Sequence, residues 1–497
     1  MKNVIIWGFN SESAAQAINT LKEKNIIDVK VWIGDVPDST HNLISFFVGD
    51  FKKDQYHGSA HNIYGEIFRN SIYQFMDMMS RHSFYAEKSF HDYLNIFNMQ
   101  FDLFSNMLIE NNIDVILFSN LPHEGPDLVL YEIAKKLNIK TIMFYQTMFP
   151  NKFFYTFGVE DFGKFNEIEL INEKPNLKID NRHEKNLFYM ADMKQYRYGF
   201  FSLQRGSFGS FVLSLLFSLF KRKNYMVFKG FLQRYFKYNV SKKDSPPHSK
   251  HQIDLTNKGA YSPRIIFSLI KDLLVRFKSF SKRFLQRYSN YRESKKGLSN
   301  VLSHEIDLNK KFVYFPLHLQ PELTTSAIGG IYVDQLLTIE RLSKIVPEDW
   351  CIYVKENPKQ TELMRGKWFF ARLRLIRNLK VVSPDFDTYS LIKNCIFVVT
   401  ITGTAGWEAI SGGKNVLAFG NPWYKSLPGV FSYDEDFKLE DLLKYKIDPD
   451  ELERELNLLL SKAGDGVIDD SYSVLVGNFN PIDNASNIAT FIERLIK

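Results

Sequence analysis

Three ionisable side chains share one short stretch, His123-Glu124-Gly125-Pro126-Asp127, between the apolar run Val115 to Phe118 and a helical pattern from Leu128 to Leu137. The run reads as a strand, so the cluster falls in a loop at its carboxyl end, where open α/β sheets hold their ligands. A group in that position can take the proton from an attacking hydroxyl. Asp127 is the first candidate base, Glu124 the second, and His123 stands beside them. The structural alternative is that Asp127 caps the helix after it and His123 is an ordinary polar loop residue.

A second set is spread over three segments, His318-Leu319-Gln320-Pro321-Glu322, Lys355-Glu356-Asn357-Pro358, and Thr402-Gly403-Thr404 running on to Glu408. Each follows an apolar run, and parallel strands bring such loops to one edge of a sheet. His318, Gln320, Glu322, Lys355, Thr402, Thr404 and Glu408 are therefore expected to converge. Lys355 would supply charge toward a phosphate, while the Thr402-Gly403-Thr404 turn offers N–H and hydroxyl donors at the start of a helix. Glu408, in the first helical turn, either accepts ribose hydroxyls or caps its own helix. Together they read as a site for a nucleotide-sugar phosphate.

The elements that must position these residues are legible. Val4 to Trp7, a turn at Gly8, a helix from Ser11 to Glu23 and a strand from Val29 to Ile33 open a doubly wound domain. Gly8 stands alone, without a G-x-G-x-x-G run, so its turn is structural. Apolar residues at helical spacing from Ile67 to Leu108 predict helices that cover the sheet. After a strand from Thr141 to Tyr145, the segments Gln146 to Pro150 and Glu160 to Gly163 are expected to line the same crevice. A second β/α series runs from Phe312 through Trp350 to Val354, Lys380 to Val382, Ile396 to Val399 and Val416 to Phe419. Gly412-Gly413 stops the helix that begins at Ala405.

The fold expected is therefore α/β, with two Rossmann-like lobes and a basic, largely helical insertion between them. Residues 1–195 form an acceptor lobe, 196–300 the insertion, 301–480 a donor lobe and 481–497 a final helix. A length of 497 residues accommodates such a division. The two cysteines, Cys351 and Cys395, lie far apart in strand-like runs and suit a reducing cytoplasm. The N-terminus reads as a strand and not as a signal peptide.

The net charge of +7 hides an asymmetry. Between Arg197 and Lys296 there are 22 Lys and Arg against 4 Asp and Glu, and everywhere else 41 against 52. Phe208 to Phe220 is apolar for 13 residues, shorter than the ~20 that a spanning helix needs. From Ile266 to Tyr288 apolar residues recur every three or four positions among Lys and Arg. Such a helix either lies on an anionic membrane surface or packs on the protein with a solvated basic face. No nucleic-acid-binding module accompanies the charge, so nucleic acid is not an expected partner.

Several of these segments resemble the capsule polysaccharide and surface-carbohydrate biosynthesis family. The likeness rests on His318-Leu319-Gln320-Pro321-Glu322, Tyr353-Val354-Lys355-Glu356-Asn357-Pro358 and Thr402-Gly403-Thr404-Ala405-Gly406-Trp407-Glu408-Ala409. Phe419-Gly420-Asn421-Pro422-Trp423-Tyr424 and Pro428-Gly429-Val430 add to it. The resemblance implies a GT-B-like glycosyltransferase with a CMP-linked acidic sugar such as Kdo as donor; no paired-Asp metal motif is evident, so neither metal nor cofactor is expected. A glycan or lipid-linked acceptor would be used in the cytoplasm or on the inner face of its membrane. The family has Lys-Glu-His-Pro where this chain has Lys355-Glu356-Asn357-Pro358, and the resemblance implies that the histidine and proline contact the donor phosphate. Asn357 can donate a hydrogen bond there but cannot carry a proton near neutral pH. Three alternatives remain: a CMP-releasing polyol-phosphate transferase of the teichoic type, a sugar 2-epimerase, and a non-catalytic assembly protein.

Overall fold

The computed structural model describes residues 1–43, 46, 63–80, 89–165, 175–179, 289, 292–303, 305–320, 323–357, 360 and 365–497. The apolar run at 208–220, the amphipathic pattern at 266–288, Glu322 and Pro358 lie outside them. The chain divides into two compact units, Met1–Glu184 with Asn290–Lys497, and Lys185–Ser289. The first unit holds both sheets.

The first sheet grows from β1 (Lys2–Trp7), whose Val4, Ile5, Ile6 and Trp7 are all buried because helices cover both faces. Gly8 follows at a φ of +82°, where a Cβ would come within 2.0 Å of the Ser119 Oγ, so the turn admits only glycine. Helix α1 (Glu12–Glu23) starts at Ser11, whose hydroxyl accepts the Ala14 N–H, and buries the stripe Ala14, Ala17, Ile18 and Leu21. Next come β2 (Ile27–Gly34) and the short β3 (His41–Asn42). The helical spacing between Ile67 and Leu108 resolves into α2 (Tyr64–Ser80) and α3 (Phe90–Glu110), the latter opened by a capping box of Ser89 and Asp92. The lobe continues with β4 (Val115–Phe118), α4 (Pro126–Lys136), β5 (Lys140–Gln146) and β6 (Lys152–Thr156).

The second sheet contains β7 (Phe312–Pro316), β8 (Cys351–Lys355), β9 (Leu379–Val382), β10 (Val398–Thr400), β11 (Val416–Ala418) and β12 (Val430–Ser432). Its order is β12-β11-β10-β7-β8-β9, and every pairing is parallel. Helices α5 (Leu323–Ile328), α6 (Gln335–Ile345), α7 (Lys367–Leu373), α8 (Thr388–Asn394) and α9 (Ala405–Ser411) connect the strands. Two further helices, α10 (Leu439–Lys444) and α11 (Pro449–Leu460), follow β12. The α/β fold with Rossmann-like parallel sheets is thus as the alternation of strands and helices anticipates.

The chain then goes back to the first sheet, earlier than a boundary at 480 implies. β13 (Gly464–Asp465) pairs antiparallel with β6, giving the order β13-β6-β5-β4-β1-β2-β3. Helix α12 (Pro481–Ile496) sets Ile488, Phe491 and Ile492 in one apolar cluster with the α1 stripe and with Phe153 and Tyr155. The physical reason is coverage. α1 alone does not shield that face of the sheet, and the apolar stripe of α12 completes it.

The two lobes touch through aromatic and polar contacts. Phe149 packs edge-on against Trp407 and Trp423 at centroid distances of 5.8 and 5.5 Å. Gln74 donates to the Ser326 carbonyl at 2.8 Å, and the Ser326 hydroxyl donates to Asp77 at 2.6 Å. Glu160, expected in the crevice, lies beside the start of β5, where Tyr131 and Lys135 of α4 donate to its carboxylate.

Candidate functional site

The β10–α9 turn is organised around His318. Its Nε2 accepts from the N–H groups of Ile401, Thr402 and Gly403 at 3.3, 3.1 and 2.9 Å, and it lies 3.2 Å from the Thr400 hydroxyl. A ring nitrogen that accepts from backbone carries no proton, so the imidazole is neutral. Burial pushes its pKa down to about 4, and the nearby Arg365 charge acts in the same direction. The backbone of His318 is fixed by a reciprocal amide pair with Gln335, at 2.8 and 2.9 Å.

This arrangement corrects the phosphate-cradle expectation for Thr402 and Gly403. Their N–H groups point to an imidazole inside the lobe. The glycines follow from the same packing: a Cβ on Gly403 would meet His318 Nε2 at 2.8 Å, and one on Gly406 would meet the Tyr424 hydroxyl at 2.2 Å. Tyr424 in turn donates to the Gly403 carbonyl. His318 accordingly sets the shape of the turn from within the lobe.

Beside it, Arg365 ties two strand-end loops together. The guanidinium, 1% exposed, meets Glu356 at 2.9 Å, the His318 carbonyl at 3.1 Å and the Gln320 side-chain carbonyl. Its face lies 4.6 Å from the Phe369 ring centroid. The Gln320 backbone also pairs with the Gln360 side chain, its N–H donating at 2.9 Å and its carbonyl accepting at 3.0 Å. The Gln320 side chain is therefore spent on Arg365 and on the Val333 carbonyl.

Lys355, at the carboxyl end of β8, is buried and donates to the Thr388 hydroxyl at 2.6 Å. Asn357 follows it, its N–H donating to Glu356 at 2.9 Å. Thr402 and Thr324 approach through their hydroxyls at 3.3 Å, and Thr404 occupies the first position of the α9 cap. Glu408 is buried. Tyr389 is pushed up to about 12, by burial first and then by the Glu408 charge, which also raises Tyr314 and Tyr424.

The first lobe carries a cavity of about 360 Å³ at the carboxyl ends of β1 and β4. Among its walls are Asn10, Ser119, His123, Glu124, Asp469 and Asp470. Asp127 also borders it, but its carboxylate is bound by four backbone N–H groups. His123 donates at 2.7 Å, Glu124 at 2.9 and 3.1 Å, and Gly125 and Leu128 at 2.9 Å each. Burial pushes Asp127 up to about 6 against the pull of those donors. The loop is wrapped on this side chain, which corrects the assignment of Asp127 as first base. His123 has its Nδ1 2.6 Å from the Leu121 carbonyl and 3.8 Å from Asp127, so Nδ1 carries the proton and Nε2 is the basic atom. Among the described residues, no group of three or more His, Cys, Asp or Glu is arranged to hold a metal. No helix among them is long and apolar enough to cross a membrane.

All three donor-side segments, from His318 to Glu408, fall inside one family match. Residues 267–459 match the family described as capsule polysaccharide biosynthesis protein. The resemblance drawn from the strand-end motifs is thereby shown for the second lobe of the chain. No curated protein matches the sequence. Among solved structures, the chain is similar to the β-Kdo 2,7 transferase of Thermosulfurimonas dismutans KpsC at 14% identity. That match covers 41% of this chain and 62% of that one, with a TM-score of 0.25. The β-Kdo 2,4 transferase of the same KpsC matches at 18% identity, covering 38% and 63%, with a TM-score of 0.23. A Methanocaldococcus jannaschii UDP-GlcNAc 2-epimerase, solved with UDP-GlcNAc and UDP, matches at 12% identity over 100% and 99%, with a TM-score of 0.24. The chain spans about three fifths of the Kdo transferase chains it matches.

Within the matched segment, the sequence motifs led to His318, Gln320 and Gly403 but assigned them to a ligand instead of to each other. Arg365 was missed because no motif surrounds it. The burial of Glu356, which gives it need of a cationic partner, is a fact of the fold and not of the polar loop that the sequence shows. Asp469 and Asp470 were missed because they reach the first lobe from the far end of the chain.

Proposed function

We propose that the chain is a glycosyltransferase of bacterial capsule or other surface-polysaccharide assembly, holding a nucleotide-activated sugar in its second lobe and the attacking hydroxyl in its first-lobe cavity. The observation that carries this reading is the contrast between the two sets of strand-end loops. Those of the second sheet hold the buried cation Lys355 beside the Arg365–Glu356 ion pair that ties the loops together. The first-lobe cavity is walled by an imidazole, carboxylates, amides and hydroxyls. A departing nucleotide phosphate needs the first environment, and a sugar hydroxyl losing its proton needs the second. The family match over residues 267–459 supports the assignment of the donor side.

In this scheme the acceptor hydroxyl oxygen attacks the anomeric carbon, and the bond from that carbon to the phosphate oxygen breaks. The proton passes to His123 Nε2, with the Leu121 carbonyl holding the ring through Nδ1 and Asp127 fixing the loop, and Glu124 is the second candidate for the role. The leaving nucleotide takes up its negative charge beside Lys355 and Thr404, with Asn357 offering an amide donor. The donor is CMP-linked, the acceptor is a glycan or lipid-linked sugar at the cytoplasmic membrane surface, and no step requires a metal.

The deciding experiment is a thermal-shift screen of the full chain with CMP, CDP, UDP, GDP and their sugars. Stabilisation by CMP compounds alone supports the reading, and a response only to UDP or GDP replaces the donor. Turnover without an acceptor would point to an epimerase, and phosphodiester in the product to a polyol-phosphate transferase. Silence toward every nucleotide would leave an assembly protein.

A further inference from the structure

Trp368 and Leu375 lie seven residues apart on α7 and the turn that continues it, so they project from one face about two helical turns apart. They are 74% and 81% exposed, whereas Phe370 and Leu373 on the opposite side are buried. Residues 292–299, also helical, pack alongside: Lys367 N–H donates to Glu293 at 2.7 Å, and Gly297 lies against the Phe370 ring. Arg292, Lys295 and Lys296 belong to one segment and Lys367, Arg374 and Arg377 to the other, all exposed. Of the acids beside these segments, Glu293 accepts the Lys367 N–H, Asp334 and Glu340 are bound to Arg372, and Glu348 adjoins Asn378 through its backbone carbonyl. The face is therefore apolar at its centre and positive around it.

We propose that this face of α7 docks on an anionic lipid bilayer, with Trp368 and Leu375 at headgroup level and Lys367, Arg374 and Arg377 against the lipid phosphates. An exposed indole beside an aliphatic side chain suits the boundary between headgroups and acyl chains. The surrounding cations suit the negative leaflet. The stretch of this chain that precedes the face, Arg197 to Ser289, is a poor alternative cover, because with 19 cations against 3 acids it carries the same sign of charge. Both are complementary to one anionic surface. The face begins two residues beyond Arg365, which holds the strand-end loops, so docking brings the second lobe's site to the headgroup plane. There a lipid-linked acceptor is presented; this consequence rests on the proposed function, and the docking itself does not.

The tryptophans make the test specific. Of the six, Trp7, Trp32, Trp350, Trp407 and Trp423 are buried, and Trp368 is exposed. The full chain is mixed with vesicles of two parts phosphatidylcholine to one part phosphatidylglycerol carrying brominated acyl chains, and sedimentation and fluorescence quenching are read together. The expected result is binding to these vesicles and not to pure phosphatidylcholine, with tryptophan emission quenched. Trp368→Phe should still sediment but lose the quenching. The double substitution Arg374→Glu with Arg377→Glu should weaken partitioning by about tenfold or more, with an unchanged melting temperature and nucleotide response. Absence of vesicle binding, the behaviour of a face that docks a protein, overturns the proposal. So does binding without quenching, or quenching that survives Trp368→Phe. None of these outcomes bears on the nucleotide screen.

Discussion

The Gly403 amide nitrogen stands 2.9 Å from His318 Nε2, and the ring accepts its hydrogen. A glycine-threonine turn at the start of a helix is easily read as a place for a phosphate. Here the histidine takes up the N–H groups of three successive residues, and the turn's shape is set from within the lobe.

The neutral state of His318 makes stability depend on pH. Its folded pKa, about 4, lies below the ordinary value of 6.5, so the unfolded chain binds the proton more readily. The contribution is fully present above about pH 6.5 and is lost as pH falls toward 4, amounting to about 3 kcal/mol. Denaturant melts of wild type and His318→Gln across that range should differ most at pH 7 and converge near pH 4. Parallel curves would show that this ring does not titrate on unfolding.

Gly406→Ala should destabilise the second lobe by about 1–3 kcal/mol, because the new Cβ meets the Tyr424 hydroxyl. Adding Tyr424→Phe removes that oxygen and should recover part of the loss. Chemical denaturation of the two variants checks it; equal loss in both would place the clash elsewhere.

Arg365 and Glu356 form a buried ion pair at 2.9 Å. Arg365→Met should cost about 3–5 kcal/mol by leaving the Glu356 charge without its partner. Arg365→Met with Glu356→Leu should cost less than the sum of the single changes. Additive losses in the double-mutant cycle would mean that the two groups are not coupled.

Exchange of the first-lobe bases should separate chemistry from scaffolding. His123→Gln is expected to lower kcat for transfer by about 100-fold with little change in melting temperature. Asp127→Asn should lower both, since the amide nitrogen cannot accept the N–H bonds that fold the loop. If His123→Gln keeps full turnover, Glu124 becomes the residue to replace next.

The sequence made the strands and helices legible because they repeat. Val4 to Trp7 and Phe312 to Phe315 are continuous apolar runs, as parallel strands covered on both faces must be. Ser11 and Gly412-Gly413 mark helix ends by capping chemistry that acts over a few residues. Hydrogen-bond direction across the fold left no such mark. Nothing in the chemistry of His318 or Thr402 says that one serves the other across 84 positions. Asp127 was legible as a cap or as a base, and only the number of donors around it separates the two. Arg365 and Asp470 gain their places through tertiary packing, which a periodic pattern does not record.

The return of the chain to its first sheet bears on the order in which the molecule can be assembled. Asn484 donates to the Ser13 hydroxyl across 471 positions, and α12 covers the face of the sheet beside α1. During synthesis that apolar face stands open while the whole second lobe is made. A protein with its closing contact placed so far from its first strand folds slowly and exposes a sticky surface meanwhile. Its yield should therefore depend on chaperone supply and growth temperature more than its final stability suggests.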